Sequence, residues 1–198
     1  MRVGSHDLHG SAPDKSKAAL LLIDVINAFD FPDAEELLRH ALPAAKNIAE
    51  LKQRAKEVGI PVIYVNDNFG RWRSDFKKIV AHCRDDSRGK PFVELLLPEE
   101  DDYFVLKPKN SGFYSTTLDL LLTHLGAKHL IITGIQGNNC VLFTANDAYM
   151  RDYKIFVPSD CTASNTEEEN EHALKQMQNV LKADIRIAKE LDLKAITS

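Results

Sequence analysis

The sequence predicts an α/β protein, a three-layer α/β/α arrangement around a doubly wound, mostly parallel sheet of five or six strands. Two observations carry that prediction. Short runs of Val, Ile and Leu recur along the chain, each stopping at a polar residue or a turn. Segments of helical spacing lie between them, and strands alternating with helices at this interval indicate βαβ units on a parallel sheet. Right-handed crossovers then place helices on both faces.

The first strand is Ala18-Ala19-Leu20-Leu21-Leu22-Ile23, an unbroken apolar run ending in Asp24, the pattern of a strand buried on both faces. A helix follows from about Pro43 to Val58, with Ala45, Ile48, Ala49, Leu51 and Ala55 on one side and Gly59 as its stop. The second strand, Pro61 to Val65, leads into the turn residues Asn66-Asp67-Asn68-Phe69-Gly70. The third is Tyr103 to Leu106, ending at Lys107. A helix from about Thr116 closes at Gly126, a strand runs from His129 to Thr133, and a helix spans about Asn139 to Arg151. Lys154 to Val157 is the fifth strand, and an amphipathic helix covers about Glu167 to Lys182. A short strand is expected at Ile185 to Ile187. Residues 1–16 read as a polar, mobile N-terminal arm and 17–198 as one domain, with no repeat or Pro/Gly linker dividing it.

Composition narrows the classes of function. A net charge of −4 offers no electrostatic footprint for nucleic acid or an anionic membrane. No apolar run approaches the roughly 20 residues that span a bilayer, and the N-terminus has no hydrophobic signal region. Three cysteines at irregular spacing form neither a disulfide framework nor a zinc knuckle and suit a reducing, cytoplasmic setting.

In an open parallel sheet, ligands bind beyond the carboxyl ends of the strands. Three reactive side chains fall at such ends: Asp24 after the first strand, Lys107 after the third and Cys140 after the fourth. Each alone has an ordinary reading as a cap, a solvated cation or a small core residue. Together they are complementary: a carboxylate to take a thiol proton, an ammonium to hold charge, and a thiolate to attack. Cys140 follows the glycines Gly134 and Gly137 at an expected helix N-terminus, a setting that lowers thiol pKa.

Three segments in order resemble the isochorismatase-like cysteine hydrolases, a family that includes nicotinamidases and N-carbamoylsarcosine amidohydrolases. They are Leu20-Leu21-Leu22-Ile23-Asp24 with Phe29; Val105-Leu106-Lys107-Pro108-Lys109-Asn110-Ser111-Gly112-Phe113 with Thr116; and Gly134-Ile135-Gln136-Gly137-Asn138-Asn139-Cys140-Val141 with Thr144. The resemblance covers about residues 17–187. It implies Asp24 as general base, Lys107 as charge-stabilising partner and Cys140 as nucleophile. Lys107 stands four residues before Ser111, as the family's Lys does, while Lys109 competes in the same loop. It also implies a cis peptide at Ile135–Gln136 and an oxyanion hole from the N–H groups of Gln136 and Cys140. Phe29, Phe69, Trp72 and Ile135 are expected to line the substrate site, with Arg71 or Arg73 available to a carboxylate.

Nicotinamidases of this family hold a metal through an Asp-x-His element. Here that run is Asp67-Asn68-Phe69, and a phenyl ring is no ligand, so no metal is expected. His82 nearby reads as an ordinary histidine. Members that open the vinyl ether of isochorismate generally lack the cysteine, so Cys140 favours C–N cleavage, and no organic cofactor is implied. The leading expectation is metal-independent hydrolysis of a small amide, ureide or carbamoyl compound through a thioester, by a homo-oligomer (dimer or tetramer). The alternatives are an ether or ester hydrolase of the isochorismatase type, and a non-catalytic interaction module using the arm 1–16.

Overall fold

The structure is a computed structural model and describes residues 15–70, 72–85 and 87–198. The expected arm, apart from its last two residues, and Arg71 therefore lie outside the described residues. Six parallel strands form one sheet: β1 (Ala18–Ile23), β2 (Val62–Asp67), β3 (Tyr103–Lys107), β4 (His129–Ile135), β5 (Lys154–Phe156) and β6 (Thr162–Ala163). The order is β3-β2-β1-β4-β5, with the two-residue β6 beside the end of β4. Strand order reverses between β1 and β4, so the crevice of a doubly wound fold opens there.

Alternation along β1 sorts the core into two halves. Ala18, Leu20 and Leu22 pack under α1 (Ala34–Glu57), α2 (Phe76–Asp85), α3 (Lys90–Val93) and the C-terminal residues Leu193 and Ile196. Ala19, Leu21 and Ile23 face α4 (Leu118–Leu125), α5 (Leu142–Tyr149) and α6 (Glu167–Leu181). All six residues of β1 are buried, which is why its sequence is apolar without alternation. The last helix, α7, spans Leu193–Thr197.

Three details differ from the sequence reading. The first helix does not start at Pro43 but runs through it. Ala34, Leu37 and Ala41 continue the buried face of Ala44, Ala45, Ile48, Leu51 and Ala55, and that burial outweighs the one hydrogen bond a proline forfeits. Residues 185–187 are not a strand: a single bridge joins Phe156 to Asp184, and the Ile185 carbonyl then accepts from the Ser159 N–H without extending the ladder. The helix expected from Asn139 begins instead as a π-helical turn, Gly137–Val141, which leads into α5. At the head of that turn the Ile135–Gln136 peptide is cis.

The ends of β1 and β4 approach as closely as backbone allows. Gly134 pairs with Ile23, has φ +114°, and a Cβ there would lie 2.0 Å from the Ile23 carbonyl oxygen. Only glycine fits. This contact delivers Asp24 and the Cys140 turn to the same edge.

Candidate active site

Asp24 leaves β1 in the left-handed region, φ 51°, a conformation that Asp tolerates better than most side chains. Its Oδ1 accepts a 2.7 Å hydrogen bond from the Asp67 backbone N–H at the end of β2. Its Oδ2 lies 2.8 Å from Lys107 Nζ. Lys107 ends β3, two strands away, so its stem must reach back across β2. The side chain is fully buried in doing so. The ammonium also donates to the Lys109 carbonyl, at 3.2 Å, and to Cys140 Sγ, at 3.5 Å. The Asp24 carboxyl group and the thiol are near enough that each shifts the other's proton affinity. Residues 24, 107 and 140 thus meet in one cluster. Lys109 supplies only its carbonyl, and its own side chain is exposed.

The electrostatics are those of a proton exchange poised before it happens. Burial pushes the Cys140 thiol up to about 12; the Asp24 charge adds to this and Lys107 opposes it. The expected lowering by a helix N-terminus does not hold, because the sulfur is buried and faces a carboxylate. Burial also raises Asp24, against the pull of Lys107. Burial, the largest single influence, pulls Lys107 down, but Asp24, Cys140 and Asp67 together outweigh it and its pKa is raised. The cluster at rest thus holds a protonated thiol beside a carboxyl group whose proton affinity is enhanced.

Two sets of bonds hold the cysteine turn. From one side, the Asn110 amide donates to Asn139 Oδ1 at 2.5 Å, Ser111 Oγ bonds Asp147, and the Gly112 N–H meets Thr144 Oγ1 at 3.0 Å. Thr144 Oγ1 then donates to the Cys140 carbonyl at 2.7 Å, tying the loop after β3 to the thiol-bearing turn. From the other side, Gln136 Nε2 donates to Asn165 Oδ1 at 2.7 Å and the Asn138 N–H to Ser164 Oγ at 3.1 Å.

The expected substrate-lining residues divide. Phe29 is fully buried, stacked on Phe31 and edge-on to Phe92, so it is part of the core and offers no face to a ligand. Ile135 is likewise buried, in the core above α1, and only its backbone borders the cysteine turn. Phe69 and Trp72 are exposed at 42% and 78%, on the loop that follows Asp67. Trp72 is therefore not packed in a helix interface. Arg73 is exposed as well.

The sequence names Asp67 only as part of a run that cannot hold a metal; the structure makes it part of the site. Asp67 ends β2 in register with Lys107, and its Oδ2 sits 3.8 Å from the Lys107 ammonium. The strand-end rule that singled out Asp24 applies equally to it. A nicotinamidase-type metal does not fit these residues. Phe69 cannot ligate, the Lys107 ammonium lies 3.8 Å from Asp67, and among the described residues no three His, Cys, Asp or Glu side chains converge as ligands.

The isochorismatase domain model matches residues 18–186. The Bacillus subtilis isochorismatase family protein YaaI is 47% identical over 177 residues, 89% of this chain and 97% of that one. Among solved structures, an isochorismatase-like hydrolase from Alkaliphilus metalliredigens superposes with a TM-score of 0.72 at 28% identity, covering 91% of this chain and 99% of its own. N-carbamoylsarcosine amidase from Thermoplasma acidophilum gives a TM-score of 0.67 at 27% identity, with 89% and 99% covered.

Proposed function

Because the chain belongs to the isochorismatase family of hydrolases, we propose that it is a cysteine hydrolase cleaving the C–N bond of a small amide, ureide or carbamoyl compound without a metal. The observation that carries this reading is the single cluster of Asp24, Lys107 and Cys140, in which one ammonium lies 2.8 Å from the carboxylate and 3.5 Å from the sulfur. Similarity to a carbamoylsarcosine amidase supports the bond type.

In the forward step the Cys140 S–H proton passes to Asp24 as sulfur forms a bond to the carbonyl carbon. The carbonyl π electrons move to oxygen, where the N–H groups of Gln136 and Cys140 receive the negative charge. When the oxyanion re-forms its double bond, the C–N bond breaks. Asp24 gives its proton to the departing nitrogen, leaving a thioester. Water then adds to that carbonyl as Asp24 takes one of its protons. The C–S bond breaks, and the sulfur recovers the proton from Asp24. Lys107 stays protonated throughout and stabilises whichever of Asp24 or Cys140 is anionic. The protonated resting thiol suits this sequence, since attack and deprotonation are then coupled in the substrate complex. In this reading Phe69 and Trp72, exposed on the loop after Asp67, form the rim that meets the substrate.

The test is ammonia release by the wild type, Cys140→Ala and Cys140→Ser on a panel of primary amides and ureides. Turnover lost in both variants, with an acyl adduct on Cys140 trapped by mass spectrometry, supports the reading. Wild-type turnover by the alanine variant overturns it, and pyruvate released from isochorismate in place of ammonia moves the assignment to ether cleavage. Assembly as a dimer or tetramer belongs to the same proposal and is read by light scattering.

A further inference from the structure

Asp67 makes the site more acidic than the cysteine mechanism needs. The three hydrogens of the Lys107 ammonium already have acceptors in Asp24, the Lys109 carbonyl and Cys140 Sγ. Asp67 Oδ1 is also taken, by the Phe69 N–H at 2.6 Å, which fixes the carboxylate in its own turn. Oδ2 is left facing the cluster from 3.8 Å, too far from Nζ for a hydrogen bond. The Asp67 side chain is 33% exposed, against 8% for Asp24 and none for Lys107. It therefore stands on the open side of the cluster, where a substrate must enter. Its Oδ2 and the Cys140 sulfur both lie within 4 Å of the same ammonium nitrogen. Both therefore border the space around that ammonium, into which the group under attack must come.

We infer that Asp67 is a specificity residue that accepts an N–H of the scissile amide or ureide nitrogen, selecting substrates with an –NH2 over esters. This rests on the hydrolytic reading above and sharpens it. A carboxylate oxygen can only accept, so it rewards a nitrogen that donates and repels an ester oxygen that cannot. Its charge also favours the nitrogen as that atom gains a proton on departure.

The experiment compares wild type and Asp67→Asn on pairs that differ only in the leaving group: N-carbamoylglycine with N-methoxycarbonylglycine, and nicotinamide with methyl nicotinate. Asn keeps the Oδ1 acceptor for the Phe69 N–H, so the turn is preserved. The –NH2 member of each pair is expected to lose about 10- to 100-fold in kcat/KM, the worth of one hydrogen bond to a charged acceptor. The ester member should change less than about threefold. Equal losses on both members, or none on either, overturn the inference while leaving the cysteine mechanism standing. A second arm is independent of turnover: Cys140→Ala protein, with and without Asp67→Asn, is titrated calorimetrically with the same compounds. Preference for the –NH2 probes that disappears with Asp67→Asn supports the assignment even if no probe is hydrolysed by the wild type. Equal affinity for both members, or no binding of any probe up to its solubility limit, refutes it.

Discussion

Replacing Asp24 by Asn separates charge from shape at the centre of the cluster. Asn is nearly isosteric and accepts the left-handed φ of 51°. Its Oδ1 can still receive the Asp67 N–H now held at 2.7 Å. What disappears is the negative charge 2.8 Å from a fully buried ammonium. Removing one member of a buried pair costs about 3–5 kcal/mol, because the survivor is left charged in a poor solvent. The loss has a ceiling of about 5 kcal/mol, the work of stripping an ordinary lysine of its proton at pH 7, after which Lys107 is neutral. Two-state urea unfolding at pH 7 should therefore place the variant about 3–5 kcal/mol below wild type.

The sign of the pH dependence follows. In wild type the folded-state pKa of Lys107 is raised, so its contribution is full below the ordinary lysine value and fades only above it. In the variant the lysine loses that carboxylate and its folded pKa falls. The unfolded chain then holds the extra proton, and stability recovers as pH rises towards 10. The gap between the two proteins should shrink from pH 7 to pH 9.5. Adding Lys107→Met to Asp24→Asn should restore most of the loss, since no charge is then stranded. A single-variant deficit below about 1 kcal/mol, or a double variant no better than the single, would refute the reasoning. Turnover should fall about 10²- to 10⁴-fold in Asp24→Asn, the usual worth of a positioned general base.

The remaining predictions concern proton affinity and the backbone. The acid limb of kcat/KM should lie above the ordinary carboxylate range, because Asp24 must be ionised to act and burial raises it. No alkaline loss should appear before about pH 9, with the thiol pushed up to about 12 and Lys107 raised; an acid limb below pH 4 would contradict this. Iodoacetamide should modify Cys140 slowly at pH 7 and ever faster to beyond pH 10. Cys83 and Cys161 are buried in the native fold and should be spared, and a rate that levels off below pH 8 would mean a pre-formed thiolate. Gly134→Ala should lower stability by about 3 kcal/mol or more, since its Cβ would sit 2.0 Å from the Ile23 carbonyl oxygen. Denaturant midpoints decide it, and a loss under about 1 kcal/mol would show that the β1–β4 ends are farther apart.

Asp24, Lys107 and Cys140 were legible because strand ends carry a strong local signal, an apolar run broken by a polar residue, and a parallel sheet brings its carboxyl ends together. The same logic, applied to the apolar run of β2, ends that strand at Val65 and so leaves Asp67 outside the triad's edge, although the strand continues to Asp67. Asn66 and Asp67 look like turn residues, yet Asn66 is wholly buried and its side chain bonds the Ile26 backbone N–H and carbonyl at 3.0 Å each. A polar residue whose partners lie forty positions away cannot be recognised as strand from its neighbours. Pro43 misled in the opposite sense: locally it starts helices, but the apolar face from Ala34 onwards belongs to one continuous contact with the sheet.

The thiol shows where sequence reasoning reaches its limit. Glycines before a helix suggest a cysteine at a positive dipole end and hence a depressed pKa. That inference concerns only atoms near Cys140 in the chain. The sulfur's real surroundings come from β1 and β3: a carboxylate supplied by residue 24, an ammonium by residue 107, and little water. Burial and the carboxylate outweigh the ammonium, and the sign reverses. The consequence is mechanistic, because a buried thiol that is neutral at rest needs a base in contact with it, whereas a free thiolate would not. The gathering of Asp24, Lys107 and Cys140 is therefore the feature on which the chemistry turns, and it exists only once β1, β3 and β4 have been brought to one edge.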